Sequence, residues 1–290
     1  MKPSSRASQT GRCLRSAYLQ AGRRFDTEKN YDGWELAPLP RTGGAPVRAA
    51  AKCRIEHRAL STVIPFLSPS DPFPPVEAAL QAPNGLLAAG GDLSPERLLA
   101  AYAEGIFPWF GADDPILWWS PDPRMVLYVR EVHVARSLHK VIKAGRFRVT
   151  LDTAFPAVVR ACAEARRDHE GTWITPAMED AYVQLAELGH AHSVEAWHGD
   201  ALAGGLYGVA VGRMFFGESM FTRVRDASKV ALVQLARQLD AWGMPMIDCQ
   251  MSTRHLASLG ARDIRRTDFV EEVRYLVRQA PVATPWRMGG

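Results

Sequence analysis

Residues 202–221 read LAGGLYGVAVGRMFFGESMF, two apolar runs, Leu202–Val211 and Arg213–Phe221, with Gly212 between them. Runs of this length, rich in Val, Phe and Tyr and punctuated by glycine, read as paired strands. SVEAW (Ser193–Trp197) alternates in the same way just before them, so the three predict an antiparallel meander. Downstream, Ala227–Trp242 has helical spacing and stops at Gly243. MPMIDCQ (Met244–Gln250) reads as a buried strand, Thr253–Leu259 as a short helix, ARDIRR as an edge strand and Thr267–Arg278 as a last helix. Upstream, MVLYV (Met125–Val129) and RFRVTLD (Arg146–Asp152) read as strands and Phe155–Ala165 as an amphipathic helix. Thr175-Pro176 caps a helix that runs to Leu188 and closes at Gly189. The order predicts an α+β sheet domain over residues 124–290.

Before it, residues 61–123 predict a small N-terminal domain. Ser94-Pro95 opens a helix over Glu96–Glu104, and the aromatic segments GIFPWF (Gly105–Phe110) and ILWWSPDPR (Ile116–Arg124) follow. Trp109, Trp118 and Trp119 fall within eleven residues flanked by prolines. They are too many for the core of so small a module and predict a rigid aromatic wall. Residues 1–60 predict a disordered basic extension: 12 Lys+Arg stand against 5 Asp+Glu, and sustained periodicity is lacking. Its first 24 residues carry no acid, which fits a transit peptide, a genuine tail or translation that starts near Val63.

The 290 residues, 47% hydrophobic and 23% charged, exclude a coiled coil, a collagen or a wholly disordered chain. No apolar run reaches the roughly 18 residues of a membrane helix. Net charge is +4, but residues 61–290 carry 23 Lys+Arg against 26 Asp+Glu, so the basic pI belongs to the extension. Four scattered cysteines predict reduced thiols and neither a disulfide framework nor a cysteine-rich metal site.

Three segments carry candidate chemistry. In FFGESMF, Glu218 sits among apolar residues, where a carboxylate is either desolvated or aimed at a cation; a salt bridge to Arg213 or Arg223 is the plain alternative. In MIDCQ, Asp248 and Gln250 are two apart and share a strand face, with Cys249 pointing away as a structural thiol. Satisfied polar groups at a strand end are the alternative there. In GTWIT (Gly171–Thr175), Trp173 precedes a helix N-terminus, where amides can meet an anion or a carbonyl. His190 and His192 would share a face, but no third ligand is evident, so no metal is expected. Walker, GxSxG and GxGxxG patterns are missing.

Read together, NGLLAAGGDLSPERLLAAYAEGIFPWF, PILWWSPDPR, EGTWIT, LGHAHSVEAW, GGLYGV, FFGESMF, ASKVAL and IDCQ resemble the bacterial leucyl/phenylalanyl-tRNA–protein transferases, in the family's order and near its spacing, from about Phe66 to about Tyr275. Residues 1–60 have no counterpart in that pattern. The resemblance implies a small N-terminal domain joined to a GCN5-related acyltransferase-like domain. It implies transfer of Leu or Phe, and less well Met, from aminoacyl-tRNA to the α-amino group of proteins with N-terminal Arg or Lys, creating an N-degron for Clp-dependent degradation. Asp248 and Gln250 then match residues that help to deprotonate or orient the attacking amine, and Glu218 an acid lining the acceptor site. Trp109 and Trp173 match aromatics around the 3′ adenosine and aminoacyl group. Phe215, Met220, Leu206, Leu235, Leu239 and Ile247 are expected around the leucyl or phenylalanyl side chain. Leu235 and Leu239 stand where relatives can carry aromatics, which bears on the Leu-to-Phe preference.

No cofactor is expected, because an aminoacyl ester is already activated and needs only a neutral amine in attack geometry. Arg130, Arg136, Lys140, Lys143, Arg146 and Arg148 form the densest basic run of the body and are the candidates for tRNA phosphates, a solvated helix face being the alternative. The expected protein is a cytoplasmic monomer, not membrane-bound. Asp248→Ala and Glu218→Ala are expected to lose transfer and stay folded. Rival readings are an acyl-CoA-dependent N-acyltransferase, which lacks here its R/Q-x-x-G-x-G/A loop, and a non-catalytic RNA- or degron-binding module.

Overall fold

The computed structural model describes residues 64–170 and 173–288. The extension 1–60, and Gly171 and Thr172 of the GTWIT segment, lie outside the described residues.

A four-stranded mixed sheet forms first, from β1 (Phe66–Leu67), β2 (Leu86–Gly90), β3 (Phe107–Pro108) and β4 (Leu117–Trp119), in the order β1-β2-β4-β3. Helix α1 (Pro95–Ala103) packs beside it. Its start follows from local chemistry: Ser94 Oγ accepts the Arg97 N–H at 3.3 Å, and Pro95 takes the first helical position, where no amide is missed.

The second, seven-stranded sheet has the order β11-β5-β10-β9-β8-β7-β6. Its elements are β5 (Arg124–Tyr128), α2 (Arg136–Lys143), β6 (Arg148–Leu151), α3 (Phe155–Glu170), α4 (Pro176–Glu187), β7 (Ala191–His198), β8 (Ala201–Val211), β9 (Met214–Thr222), α5 (Ala227–Ala241), β10 (Met246–Gln250), α6 (Arg254–Ala257), β11 (Arg262–Ile264) and α7 (Arg266–Leu276). The meander β7-β8-β9 and the edge position of β11 are as the sequence predicts; α3 runs on past Ala165 to Glu170. All pairs are antiparallel except β9 with β10, which α5 connects as a crossover.

The sheet is covered on both faces. On one, Val230, Leu235 and Leu239 of α5 and Leu138 of α2 pack over Phe215 and Ile247. On the other, α3, α4 and α7 share a single core with the small sheet, joining Tyr182, Phe216 and Phe269 to Tyr102 and Trp118. Glycines of the GGLYG segment make the close approaches possible. A Cβ on Gly204 would lie 2.7 Å from that of Ala227 at the start of α5, and one on Gly208 would lie 2.2 Å from the Phe216 carbonyl.

One aromatic expectation is corrected. Trp118 and Trp119 are fully buried, their indole N–H groups donating to the Gly90 carbonyl (2.8 Å) and the Trp109 carbonyl (2.6 Å). They are core after all, because the small sheet shares its core with the large one. Trp109 alone of the three reaches the cavity described next.

Candidate active site

Strands β9 and β10 pair at only two positions, Phe215 with Ile247 and Phe216 with Asp248. Immediately beyond them both strands bulge. Tyr207 and Gly208 of β8 face Ser219 and Gly217, so Glu218 is an extra residue. Val126 and Met125 of β5 face Asp248 and Gln250, so Cys249 is another. Bulges bend strands and re-aim side chains. Here they border a cavity of about 210 Å³, roofed by Phe107 and Trp109 of the small sheet and Trp173 before α4.

One side of this cavity is apolar: Leu206, Phe215, Met220, Leu235 and Ile247, all expected from the sequence, together with Leu232 and Leu256. Leu239 is corrected: it is buried in the core under α5 and does not line the cavity, one turn beyond Leu235. A dry cavity of about 150 Å³ admits a benzene molecule, so this one has room for an aromatic or branched side chain.

The other side is polar and holds two buried acids. Asp248 is wholly buried and takes a forked ion pair from Arg124, Nε to Oδ1 at 2.8 Å and Nη2 to Oδ2 at 2.6 Å. Its Oδ1 also accepts the Gln250 backbone N–H at 2.8 Å. The Arg124 guanidinium lies between the rings of Phe107 and Phe269, 4.7 and 4.5 Å from their centroids. Gln250 adopts a left-handed φ of 62°, so the plain two-residue repeat does not apply to it. The bulge, not strand alternation, brings Asp248 and Gln250 together. Cys249 packs with Ile247 against the core under α5, on the face away from Asp248, and also borders the cavity. Burial, then the charge of Asp248, pushes that thiol up, so it is no thiolate nucleophile.

Glu218 forms no ion pair among the described residues. Arg213 donates to the Trp242 carbonyl and Arg223 pairs with Glu164, so neither proposed salt bridge exists. Instead Oε1 lies 2.8 Å from Tyr102 Oη and accepts from Gln250 Nε2 at 2.9 Å, and Oε2 lies 2.6 Å from Tyr182 Oη. Burial raises its carboxyl to about 7 against the opposing pull of the two tyrosines, with Asp248 adding to the rise and Arg124 opposing it. Burial, then the charge of Glu218, raises the phenols of Tyr102, Tyr182 and Tyr207 as well.

Sequence reasoning missed Arg124, Tyr102 and Tyr182, although Arg124 ends the PILWWSPDPR segment and Tyr102 lies in the first long motif. A buried Asp248 demands a cation, but nothing in one sequence says that its partner lies 124 residues away. The six basic candidates are all exposed, and none lines the cavity. Arg136, Lys140 and Lys143 stand on α2, Arg130 pairs with Asp240 at 2.7 Å, and Arg146 and Arg148 lie over Phe147 and Trp197. His192 is structural: Nδ1 is 2.8 Å from Asp152 Oδ2, and the ring stacks on Trp286 at 3.6 Å.

Comparison with known proteins gives the family of the chain. The family described as leucyl/phenylalanyl-tRNA protein transferase matches residues 126–274, and its N-terminal domain matches residues 91–122. The leucyl/phenylalanyl-tRNA–protein transferase of Nitrosospira multiformis is 58% identical over 224 residues, covering 77% of this chain and 97% of the relative. That of Nitrosomonas europaea is 60% identical over 205 residues, 71% of this chain and 87% of the relative. Among solved structures, a Bacteroides thetaiotaomicron protein of unknown function has a TM-score of 0.35 at 11% identity over 56% of each chain, too distant to inform the site. The chain therefore belongs to the leucyl/phenylalanyl-tRNA–protein transferase family and is an aminoacyltransferase.

Proposed function

We propose that the chain moves leucine or phenylalanine, and methionine less well, from aminoacyl-tRNA to the α-amino group of proteins beginning with Arg or Lys, and so marks them for Clp-dependent degradation. The observation that carries this reading is the two-sided cavity, apolar across Leu206, Met220 and Leu235 and polar at Glu218 and Gln250. An acyl side chain fits the first side and a cationic acceptor the second. On this reading residues 61–123 are the small domain and residues 124–290 a GCN5-related acyltransferase-like domain. The protein works as a cytoplasmic monomer. No described helix is long and apolar enough to cross a membrane.

In the reaction the amine nitrogen attacks the ester carbonyl carbon. The peptide C–N bond forms, the ester C–O bond to the ribose breaks, and the proton shed by the amine ends on the ribose oxygen. Gln250 gives its amide N–H to Glu218, which leaves its amide oxygen to accept from the amine. Asp248 holds Gln250 in place through the backbone N–H and has its charge neutralised by Arg124, so positioning, not base catalysis, is its role. Trp109 and Trp173 supply ring faces for the 3′ adenine, a contact worth ~1–3 kcal/mol. The exposed cations from Arg130 to Arg148 meet acceptor-stem phosphates.

The test incubates the full chain with radiolabelled Leu-tRNA or Phe-tRNA and an Arg-starting peptide, with an Ala-starting peptide as control and acetyl-CoA as rival donor. Label on the Arg peptide alone is expected. Acetylation in its place would make the chain an acyl-CoA enzyme, and transfer to neither peptide would leave a binding module.

A further inference from the structure

The contacts around Glu218 cannot all be hydrogen bonds if that carboxyl is ionised. Tyr102 Oη and Tyr182 Oη lie 2.8 Å apart, Tyr102 Oη is 2.8 Å from Glu218 Oε1, and Tyr182 Oη is 2.6 Å from Oε2. Each phenol carries one proton. With Glu218 as a carboxylate, two protons serve three contacts, and one pair of oxygens would face each other with no proton between them. With Glu218 protonated, three protons serve three contacts and the ring closes. Its direction is fixed as well: Gln250 Nε2 donates to Oε1, so Oε1 is the accepting oxygen and the acid proton belongs on Oε2. The chain of donors then runs from Oε2 to Tyr182, from Tyr182 to Tyr102, and from Tyr102 back to Oε1.

We propose that Glu218 holds a proton when the cavity is empty and releases it when the cation of an acceptor N-terminus binds, with Tyr102 and Tyr182 as the positioning residues that make both forms accessible. The proposal rests on the reading of Glu218 as the acceptor-side acid. The surroundings allow it. Asp248 from β10 is matched by Arg124 from β5. Arg166 from α3, also on the cavity wall, gives its Nε to Ser219 Oγ at 3.1 Å instead of to Glu218. Tyr102 from α1, Tyr182 from α4 and Tyr207 from β8 are all held as neutral phenols. Cys249 from β10 is held as a neutral thiol. Glu218 is thus the acid of the cavity left without a cation of its own among the described residues. When an acceptor's guanidinium or ammonium group arrives, its donors need the lone pairs of an anion. The Oε2 proton leaves to solvent, and both phenols turn to donate to the carboxylate. The tyrosines bond to both forms, which keeps the carboxyl near neutral pH despite its burial.

Infrared difference spectroscopy on the full chain, with Glu218→Gln as the assigning variant, reads this directly. A protonated-carboxyl carbonyl band is expected in the empty protein at pH 6. It should be missing in Glu218→Gln, fade by pH 9 and disappear at pH 6 on saturation with an Arg-starting peptide. In Tyr102→Phe/Tyr182→Phe the midpoint of that band should rise by about one pH unit. The carboxylate there loses two charge-assisted bonds, each roughly twice an ordinary one, whereas the neutral acid loses three ordinary ones. Wild-type protein carrying ¹³C-labelled glutamate gives the same titration by NMR without any variant. An ionised Glu218 in the empty protein at pH 6, or a band that survives peptide saturation, would overturn the proposal. If the same preparation transfers label to the Arg peptide with Glu218 ionised throughout, only the proton step fails. If it transfers nothing, the acceptor reading itself is lost.

Discussion

The cavity holds two buried acids a strand apart, and they are treated in opposite ways. Asp248 is clamped by a forked guanidinium and a backbone amide, so charge meets charge. Glu218 meets only neutral partners, two phenols and an amide, and burial lifts it to about 7. Position in the sheet does not produce this difference, since both residues stand beside bulges at the β9–β10 split. The partner does. An ion-paired acid is a fixed strut, whereas an acid among phenols can change charge near neutral pH and so respond to a substrate.

The largest effect should come from breaking the strut. Arg124→Met leaves Asp248 as an uncompensated buried charge, which costs about 3–5 kcal/mol in such pairs. Chemical unfolding should show a loss of this size, with Asp248→Ala close behind because it strands Arg124. This changes the expectation that Asp248→Ala stays folded and merely loses transfer. Combining Arg124→Met with Asp248→Leu should restore much of the stability without restoring transfer, because Gln250 loses the acceptor that holds its backbone N–H. If Arg124→Met unfolds like the wild type, the ion pair is no strut and the contrast between the two acids collapses.

Glu218 should show itself through pH. Its carboxyl is raised from 4.5 to about 7, so the folded protein binds the extra proton between those values. The resulting stability is fully present below about pH 4.5 and is lost as pH rises through 7, with a total on the order of 3 kcal/mol. Glu218→Gln should flatten the decline in unfolding free energy between pH 5 and 8. An unchanged slope in the variant would assign it to another group.

Most of the architecture was legible in the sequence because the elements carry their own local signals. Ser94-Pro95, Thr175-Pro176 and the stops at Gly189 and Gly243 mark helix ends, and the Leu202–Phe221 runs mark the meander. The two acids were legible too, because Glu218 and Asp248 interrupt apolar strands, whereas the apolar residues around the cavity were expected only through the family resemblance. What failed were inferences that needed register. The same-face reading of Asp248 and Gln250 assumed an unbroken strand, and the bulge at Cys249 removed that assumption. Arg124, Tyr102 and Tyr182 reach their acids across 124, 116 and 36 residues of chain, and no local pattern encodes such a contact. Leu239 failed for a subtler reason: it repeats the helical spacing of Leu235, but the cavity ends before the next turn of α5.

On the apolar side a smaller change is expected. Met220 borders the cavity and is only half buried, so Met220→Ala should enlarge the space with little rearrangement of the core. The loss of packing should weigh more on a leucyl than on the larger phenylalanyl side chain. The ratio of kcat/KM for Phe-tRNA over Leu-tRNA should rise about tenfold, within the ~1–3 kcal/mol that hydrophobic pockets discriminate. A ratio that stays put would move the acyl side chain away from Met220, towards Trp173.

The smallest effect concerns the basic run, which lies apart from the cavity lining. Lys140 and Lys143 are exposed on α2, so Lys140→Ala/Lys143→Ala should leave stability within about 0.5 kcal/mol of wild type. Their contribution should appear only as salt dependence. Each phosphate that a lysine no longer neutralises lowers the log–log slope of tRNA affinity against salt by roughly 0.7–0.9. A slope reduced by one to two such steps, with kcat unchanged, places the acceptor stem along α2. An unchanged slope makes α2 a solvated face, and the tRNA must then approach over cations nearer the cavity mouth, such as Arg166.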